Sequence, residues 1–481
     1  MINYSFSSIK MLKDKIDLES KYEARGSWHI SGHPEDSQMG IFTFSHNEGS
    51  YLSLFTSFKQ DSKSEDTLFD IHGYTLDGKW ITLLDCFWIH KSIQSNTRFQ
   101  PVTFRVNRTL IGDQIEEDYK ADSFYSIELS HHLIEEWMGD FPFVNKFTTS
   151  DNTHTASYKD PEELSFNIPA IESTLSVGRE GTLGHGDRKA MKWISQGVIT
   201  ITPASPKPLA WYSSHAHCLR QLFSFLIGEP ARTRYATLRG EEIEYSSNLK
   251  VRSSTQLLYQ EIGHGRTSLN DSFHEMFAPL PSIKHKIELI FNKWFDCYSE
   301  LRMPITIYLS AQAGDYTYVD TSLVALAQAL EGFCRCTSDS HYLDDDKYKD
   351  IYDTIVAGFP PSIPRDLGDR LKSMLKHGNE YALKKRLKEE INRYSTKLTD
   401  YISLSPNEFI DNIVDFRNAK VHVTYDKSTS PIDGKQVPYS GLRMEIFFAI
   451  CMMRILGFTE DEMDCCIKQS KRFRPITQKF E

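Results

Sequence analysis

The sequence predicts an α+β multidomain protein, with a β-rich, sandwich-like N-terminal region over residues 1–279 and an all-α helical bundle over 280–481. Three observations carry that expectation. Short alternating segments rich in aromatic and β-branched residues, separated by turn signals, fill the stretch from about Gly26 to Phe104. From His285 onward apolar residues recur every three or four positions, which is the spacing that gives a helix one buried stripe. The texture changes at Pro279-Leu280-Pro281, and 481 residues exceed a single core of about 100–200 residues.

In the β-rich region, Gly40-Ile41-Phe42-Thr43-Phe44, Tyr51-Leu52-Ser53-Leu54-Phe55 and Trp80-Ile81-Thr82-Leu83-Leu84 read as strands. Asp77-Gly78, between Ile71-His72-Gly73-Tyr74 and Trp80-Ile81-Thr82, reads as a hairpin with a tight primed turn, because both residues accept positive φ. Strands are expected again at Leu164 to Ile168 and at Gly197 to Ile201, until Pro203, Pro206 and Pro208 forbid a regular element. A helix follows over Trp211 to Ile227 with Gly228 as its stop, and strand-like sequence resumes to about Gln260. In the second half, Ile287, Ile290, Phe291, Trp294, Phe295, Tyr298 and Leu301 mark one amphipathic helix. Further helices are expected at about 320–336, 347–356, 365–377, 380–402, 407–423 and 442–456, separated by breakers such as Gly358-Phe359-Pro360-Pro361.

Composition narrows the function classes. Hydrophobic residues at 40% and charged residues at 25% describe a globular chain rather than a disordered or collagenous one. The net charge of −10 lacks the basic excess of proteins that coat nucleic acid, so any such contact must be local. The longest apolar run, Ile446 to Met453, is bounded by Glu445 and Arg454 and is too short to span a membrane. The N-terminus carries no apolar signal-peptide core, so a cytosolic location without a membrane partner is expected. The eight cysteines form no paired Cys-x-x-Cys modules and read as reduced, buried thiols.

The stretch from Phe409 to Val423 carries the chemistry. At about 100° per residue, Ile410, Ile413, Val414 and Val421 fall on one stripe with Arg417 in its middle. A guanidinium cannot shed its charge, so it requires an anion or a cleft there. Asn418 and His422 lie one turn apart on the flank, so the three polar groups can border one groove. Two readings stay open on geometry alone: a functional cleft, or a structural network in which Arg417 pairs with a carboxylate such as Glu331 and His422 is a satisfied core histidine.

Arg417-Asn418-Ala419-Lys420-Val421-His422 resembles the Arg-polar-x-x-x-His signature of HEPN-domain ribonucleases, on a late helix of the bundle. The earlier helix Ala325-Leu326-Ala327-Gln328-Ala329-Leu330-Glu331-Gly332 resembles the Ala-Leu-Glu helix of Apea-like HEPN domains. The β-rich region, with Gly73-Tyr74-Thr75-Leu76-Asp77-Gly78-Lys79-Trp80-Ile81-Thr82-Leu83, looks like the N-terminal domain of ApeA-type anti-phage proteins. The resemblance implies a metal-independent, cofactor-free endoribonuclease acting by abortive infection, in which the RNA 2′-hydroxyl attacks its adjacent phosphorus. An imidazole titrating at about 6.5 suits His422 for proton transfer. The bidentate guanidinium of Arg417 suits the charge on the phosphorane, and Asn418 would orient the histidine or hold a phosphate oxygen. On one helix Arg417 and His422 stand about 140° apart. The family's answer is a homodimer in which two such helices face each other, and RNA and a phage-derived trigger are the implied partners. The rival from another class is a non-catalytic HEPN scaffold that dimerises or senses a nucleotide or phage component.

Lys384, Lys385 and Arg386, followed by Lys388, form the best candidate for RNA-backbone contact, although Glu389 and Glu390 interrupt the run. His215-Ala216-His217-Cys218 and Cys334-Arg335-Cys336 offer ligand types but no metal-site spacing, so no metal is expected. The segment Gly178 to Lys189 lacks the ending of a P-loop and reads as a surface loop, and Asp344-Asp345-Asp346 reads as a solvated loop or helix cap.

Overall fold

The computed structural model describes residues 15–59, 68–91, 101–112, 123–149, 152–159, 161–184, 192–246, 249–261, 272–314, 318–338, 340–422, 432 and 435–478. The chain divides into two compact units. The first comprises Met1–Gly263, Asn270–Phe273 and Ala278–Phe295, and the second comprises His264–Leu269, His274–Phe277 and Asp296–Glu481.

The first unit is built on β1 (Tyr22–Ile30), β2 (Gln38–Ser45), β3 (Gly49–Leu54), β4 (Phe69–Thr75), β5 (Trp80–Lys91), β6 (Val102–Val106), β7 (Arg108–Gly112) and β8 (Ser126–His131). They are followed by β9 (Phe143–Thr148), β10 (Thr153–Tyr158), β11 (Leu164–Ile168), β12 (Ser173–Gly184), β13 (Lys192–Pro203), β14 (Thr233–Ser246) and β15 (Leu249–Tyr259). β9 and β10 pair only with each other, and the other thirteen strands form one sheet. The β-rich class is as the sequence predicts, but its form is more particular than a sandwich. β5-β4-β1-β2-β3-β6 closes on itself through an antiparallel β6–β5 pairing, so six strands make a barrel. From β7 the sheet continues through β15, β14, β8, β13, β12 and β11.

The fork between barrel and sheet lies at one bend. Trp80–Leu84 of β5 pair with β7, whereas Phe87–Lys91 pair with β6. Asp85 between the two halves adopts φ 54°, a conformation that aspartate tolerates better than most residues. Its carboxylate accepts from Arg108 Nε and Nη2 at 3.1 and 2.6 Å, and its own N–H donates to Asp70 Oδ1 at 3.0 Å. On the facing strand Asn107 separates β6 from β7, and its N–H donates to Leu84 O. The barrel interior is filled by the inward alternation of Phe42 and Phe44, Leu52 and Leu54, Ile81 and Leu83, and Val102, Phe104 and Val106, around the buried Trp28.

Helices α1 (Ile134–Met138), α2 (Leu209–Ile227) and α3 (Leu280–Ile283), with the first residues of α4 (Ile287–Ala313), complete this unit. Phe223 of α2 packs on His131, Trp137 and Phe291, and Trp294 Nε1 donates to Cys218 O at 3.2 Å. Burial and the charge of Arg220 push the His131 imidazole down to about 3, so it is a neutral core group.

The second unit is helical, as expected: the remainder of α4, then α5 (Val319–Thr337), α6 (Asp345–Ala357), α7 (Arg365–Lys376), α8 (Leu383–Ile391), α9 (Thr396–Thr399), α10 (Pro406–His422), α11 (Val437–Ile455), α12 (Glu460–Gln469) and α13 (Arg474–Thr477). Helix α5 packs against α8, α10 and α11. The run Ile446 to Met453 is wholly buried in α11, and Phe448 stacks on Tyr308. Among the described residues no helix is long and apolar enough to cross a membrane.

Three local expectations change. The single helix expected over 380–402 is two, α8 and α9, because the chain turns at Asn392–Ser395 to return Tyr394 and Arg393 to the buried Glu390. A buried carboxylate needs donors, and Tyr394 Oη at 2.7 Å, Arg454 Nη2 at 3.0 Å and Arg393 Nε at 3.2 Å supply them. At Asp77-Gly78 the turn is not a primed one, since Gly78 alone takes positive φ (84°) and the Thr75 hydroxyl accepts from Lys79 N at 2.9 Å. Residues 178–184 are not loop but part of β12, paired with β13, while 185–189 lie outside the described residues.

Gly73 of β4 gives a direct test of barrel packing. A Cβ added there would lie 2.2 Å from a Trp28 ring carbon, inside a filled interior. Gly73→Ala is therefore expected to lower stability by about 1–3 kcal/mol. Urea unfolding followed by tryptophan fluorescence reads this as an earlier transition, and an unchanged transition would contradict the packing.

Candidate functional site

Helix α10 buries Phe409, Ile410, Ile413, Val414 and Phe416 against the bundle. The apolar stripe ends earlier than the sequence predicts, because Val421 is exposed and Phe416 takes a place in the core. Arg417 thus stands where the helix emerges from the core, with its side chain 23% exposed. Its partner is on α5, where Nη2 donates to Glu331 Oε2 at 3.3 Å. On its other side Nη1 donates to Asn418 Oδ1 at 3.0 Å, so Arg417 and Asn418 are in contact. Arg417 Nε is buried and has no hydrogen-bond partner among the described residues. His422 is placed by its backbone at the end of α10, five positions after Arg417, and Val423 lies outside the described residues. Lys420, within the motif, pairs with Asp320 at the start of α5.

Sequence reasoning named Glu331 but missed what stands behind it. Glu331 Oε1 accepts from Arg335 Nε and Nη2 at 3.3 and 3.2 Å, and Arg335 Nη1 donates to Glu380 Oε2 at 2.6 Å. Glu380 also meets His377 Nδ1 at 2.9 Å. The Glu331–Arg335 link was readable as an i, i+4 pair on one helix face. The Glu380 link was not, because it joins residues 45 positions apart.

The basic run divides. Lys384 is half exposed and pairs with Asp411 Oδ2 at 2.9 Å, and Lys388 holds the other oxygen at 2.6 Å. These two lysines keep the Asp411 carboxyl below its ordinary range, with Lys388 the larger influence. Lys385 lies 3.5 Å from the Tyr381 ring centroid and 4.1 Å from that of Tyr342, a cation–π arrangement. Arg386 is buried, with Nε donating to Tyr381 O at 2.8 Å and Nη2 reaching Glu380 at 3.5 Å. Its guanidinium faces inward, so the expectation that Arg386 meets RNA at the surface does not fit its place in the bundle.

Two members of the histidine and cysteine groupings pack within the fold. His215 stacks on Trp211, and its Nδ1 lies 2.7 Å from Trp211 O. Cys334 is buried in α5, and burial pushes its thiol up to about 12. Cys336 and Cys465 are exposed rather than buried, and none of the eight cysteines is joined in a disulfide. Among the described residues no group of three His, Cys, Asp or Glu could hold a metal ion. Asp344 precedes α6 as its cap residue, and Asp345 and Asp346 lie in its first turn, where carboxylates favour the helix dipole.

A β-rich unit followed by a helical bundle with an Arg-Asn-x-x-x-His helix defines a two-part HEPN architecture, and comparison with known families gives the same answer. Residues 23–294 match the model described as ApeA N-terminal domain 1, and residues 324–462 match the one described as Apea-like HEPN. The first match alone spans more than half of the chain, and the chain belongs to the ApeA-like HEPN family. It ends at Trp294, one residue before the first unit ends at Phe295. No curated protein and no solved structure matches the chain.

The charged ladder predicts an acid dependence. Hydrogen bonds from His377 and then Arg335 hold the Glu380 carboxyl below its ordinary value. A group whose folded value is depressed contributes stability that is present above its unfolded value, about 4.3, and lost as pH falls through the folded one. Glu380→Gln is therefore expected to lower the thermal midpoint at pH 7, and its gap from wild type is expected to close as pH drops below about 4. A gap that stays constant from pH 7 to 3 would contradict the ladder.

Proposed function

We propose that this protein is a metal-independent endoribonuclease of anti-phage defence, acting by abortive infection at a composite site in a HEPN homodimer. The observation that carries the reading is the state of Arg417. It is partly exposed, oriented by Glu331 and Asn418, and lies five positions before His422 in the part of the chain matched as HEPN. The RNA 2′-oxygen would attack the adjacent phosphorus while its proton passes to a base. The bond to the 5′-oxygen breaks, and that oxygen takes up a proton, leaving a 2′,3′-cyclic phosphate and a 5′-hydroxyl. His422 is assigned to proton transfer, Arg417 to the phosphorane charge and Asn418 to holding the guanidinium or a phosphate oxygen. Because Arg417 and His422 stand about 140° apart on one helix, a second copy of α10 would complete the cleft.

In this reading residues 280–481 cut, and residues 1–279 sense a phage-derived trigger and restrain the nuclease until infection. Lys384 and Lys385 supply contacts to the RNA backbone, each exchanging an intramolecular partner for a phosphate. A second reading keeps the bundle as a non-catalytic scaffold that dimerises or holds a nucleotide or phage component, and the Arg417–Glu331 ion pair favours it.

Purified full-length protein separates the two. Arg417→Ala and His422→Ala are each expected to lower RNA cleavage by about 10²-fold or more while the protein stays folded. Cleavage is expected to persist in EDTA and to fail on RNA with a 2′-deoxy residue at the cut. Wild-type protein that leaves RNA intact, or a His422→Ala variant that cuts normally, would favour the scaffold.

A further inference from the structure

Glu331 is a shared carboxylate. Arg335 takes its Oε1 with two N–H groups, and Arg417 reaches Oε2 with one, at 3.3 Å. All three contacts, at 3.2–3.3 Å, sit at the long edge of hydrogen-bond range, while Arg–carboxylate pairs are strongest as two parallel bonds, one to each oxygen. Here neither arginine makes two parallel bonds: both Arg335 N–H groups converge on Oε1, and Arg417 reaches Oε2 alone. Arg335 is itself anchored at its far end by Glu380, so its guanidinium is fixed between two carboxylates.

We infer that Arg335 is a positioning residue, which keeps Glu331 orienting Arg417 without capturing it. The inference rests on Arg417 being the group that meets a phosphodiester. A phosphate that binds Arg417 competes with Glu331 for its guanidinium and draws it away from a carboxylate whose side chain is only 18% exposed. A carboxylate left there without a cation is costly, and Arg335 removes that cost by remaining bonded to it. Without Arg335 the only cation on Glu331 among the described residues is Arg417, which then closes into a forked pair and competes with the phosphate.

A purely structural role for Arg335, as a staple from α5 to Glu380, makes different predictions, and binding of an uncleavable 2′-O-methyl RNA oligonucleotide to the full-length protein separates them. Arg335→Gln is expected to weaken binding about tenfold. In Glu331→Gln/Arg335→Gln the competing carboxylate is gone, and binding is expected to return to within about twofold of Glu331→Gln alone. Glu380→Gln breaks the staple but leaves both Arg335 bonds to Glu331 Oε1, and is expected to bind as wild type. If Arg335→Gln fails to fold, Arg335→Lys, which keeps the charge but loses the fork, carries the same comparison with a smaller loss.

Wild-type binding by Arg335→Gln overturns the inference. So does a double variant that stays as weak as Arg335→Gln, or a Glu380→Gln variant that loses as much. Arg417→Gln tells the two levels apart. If it weakens binding while Arg335→Gln does not, only the role of Arg335 falls. If Arg417→Gln binds as wild type, the phosphate role of Arg417 falls and the inference with it.

Discussion

A guanidinium stays charged at any pH a cell meets, so Arg417, at the point where α10 leaves the core, obliges the bundle to place an anion beside it. The position of that anion is fixed by α5, which packs against α8, α10 and α11 and is lined with buried alanine and leucine. Glu331 sits on that helix after the buried Leu330, so its carboxylate is held by the same packing that holds the core. Satisfying Arg417 with one oxygen leaves the other to be satisfied, and Arg335 does this from the next turn. The charged ladder reaching Glu380 and His377 follows from that sequence of requirements.

The first unit is governed by a different constraint, the need to satisfy the edges of a long antiparallel sheet. Six strands achieve this by closure, and the fork at Asp85 and Asn107 lets β5 serve the barrel with one half and the continuing sheet with the other. The Asp85–Arg108 pair joins the two strands at the fork. The barrel interior is packed with aromatic and branched side chains around Trp28.

Much of this was legible in the sequence because it depends on short-range periodicity. The alternation in Gly40 to Phe44 and the three- and four-residue spacing from Ile287 to Leu301 each correspond to the element that forms. What escaped depends on partners distant in sequence. Closure of the barrel rests on β6 pairing with both β3 and β5, which no local pattern encodes. The break at Asn392–Ser395 is dictated by the buried Glu390, whose donor Arg454 lies 64 positions away. At the candidate site, Arg417 stood out because its charge conflicted with its face of the helix, and Glu331 was named as a possible partner. Arg386 was misjudged because a basic run resembles a solvated face unless one knows that Tyr381 and Glu380 turn that guanidinium inward.

The central claim is that the Arg417 helix supports attack by the RNA's own 2′-hydroxyl, and the ends of the cleaved strands report this most directly. Full-length protein incubated with a defined single-stranded RNA is predicted to leave 2′,3′-cyclic phosphate on one fragment and a free 5′-hydroxyl on the other, as read by mass spectrometry. Fragments carrying a 3′-hydroxyl and a 5′-phosphate would show that water, not the 2′-hydroxyl, is the nucleophile, and would contradict the account.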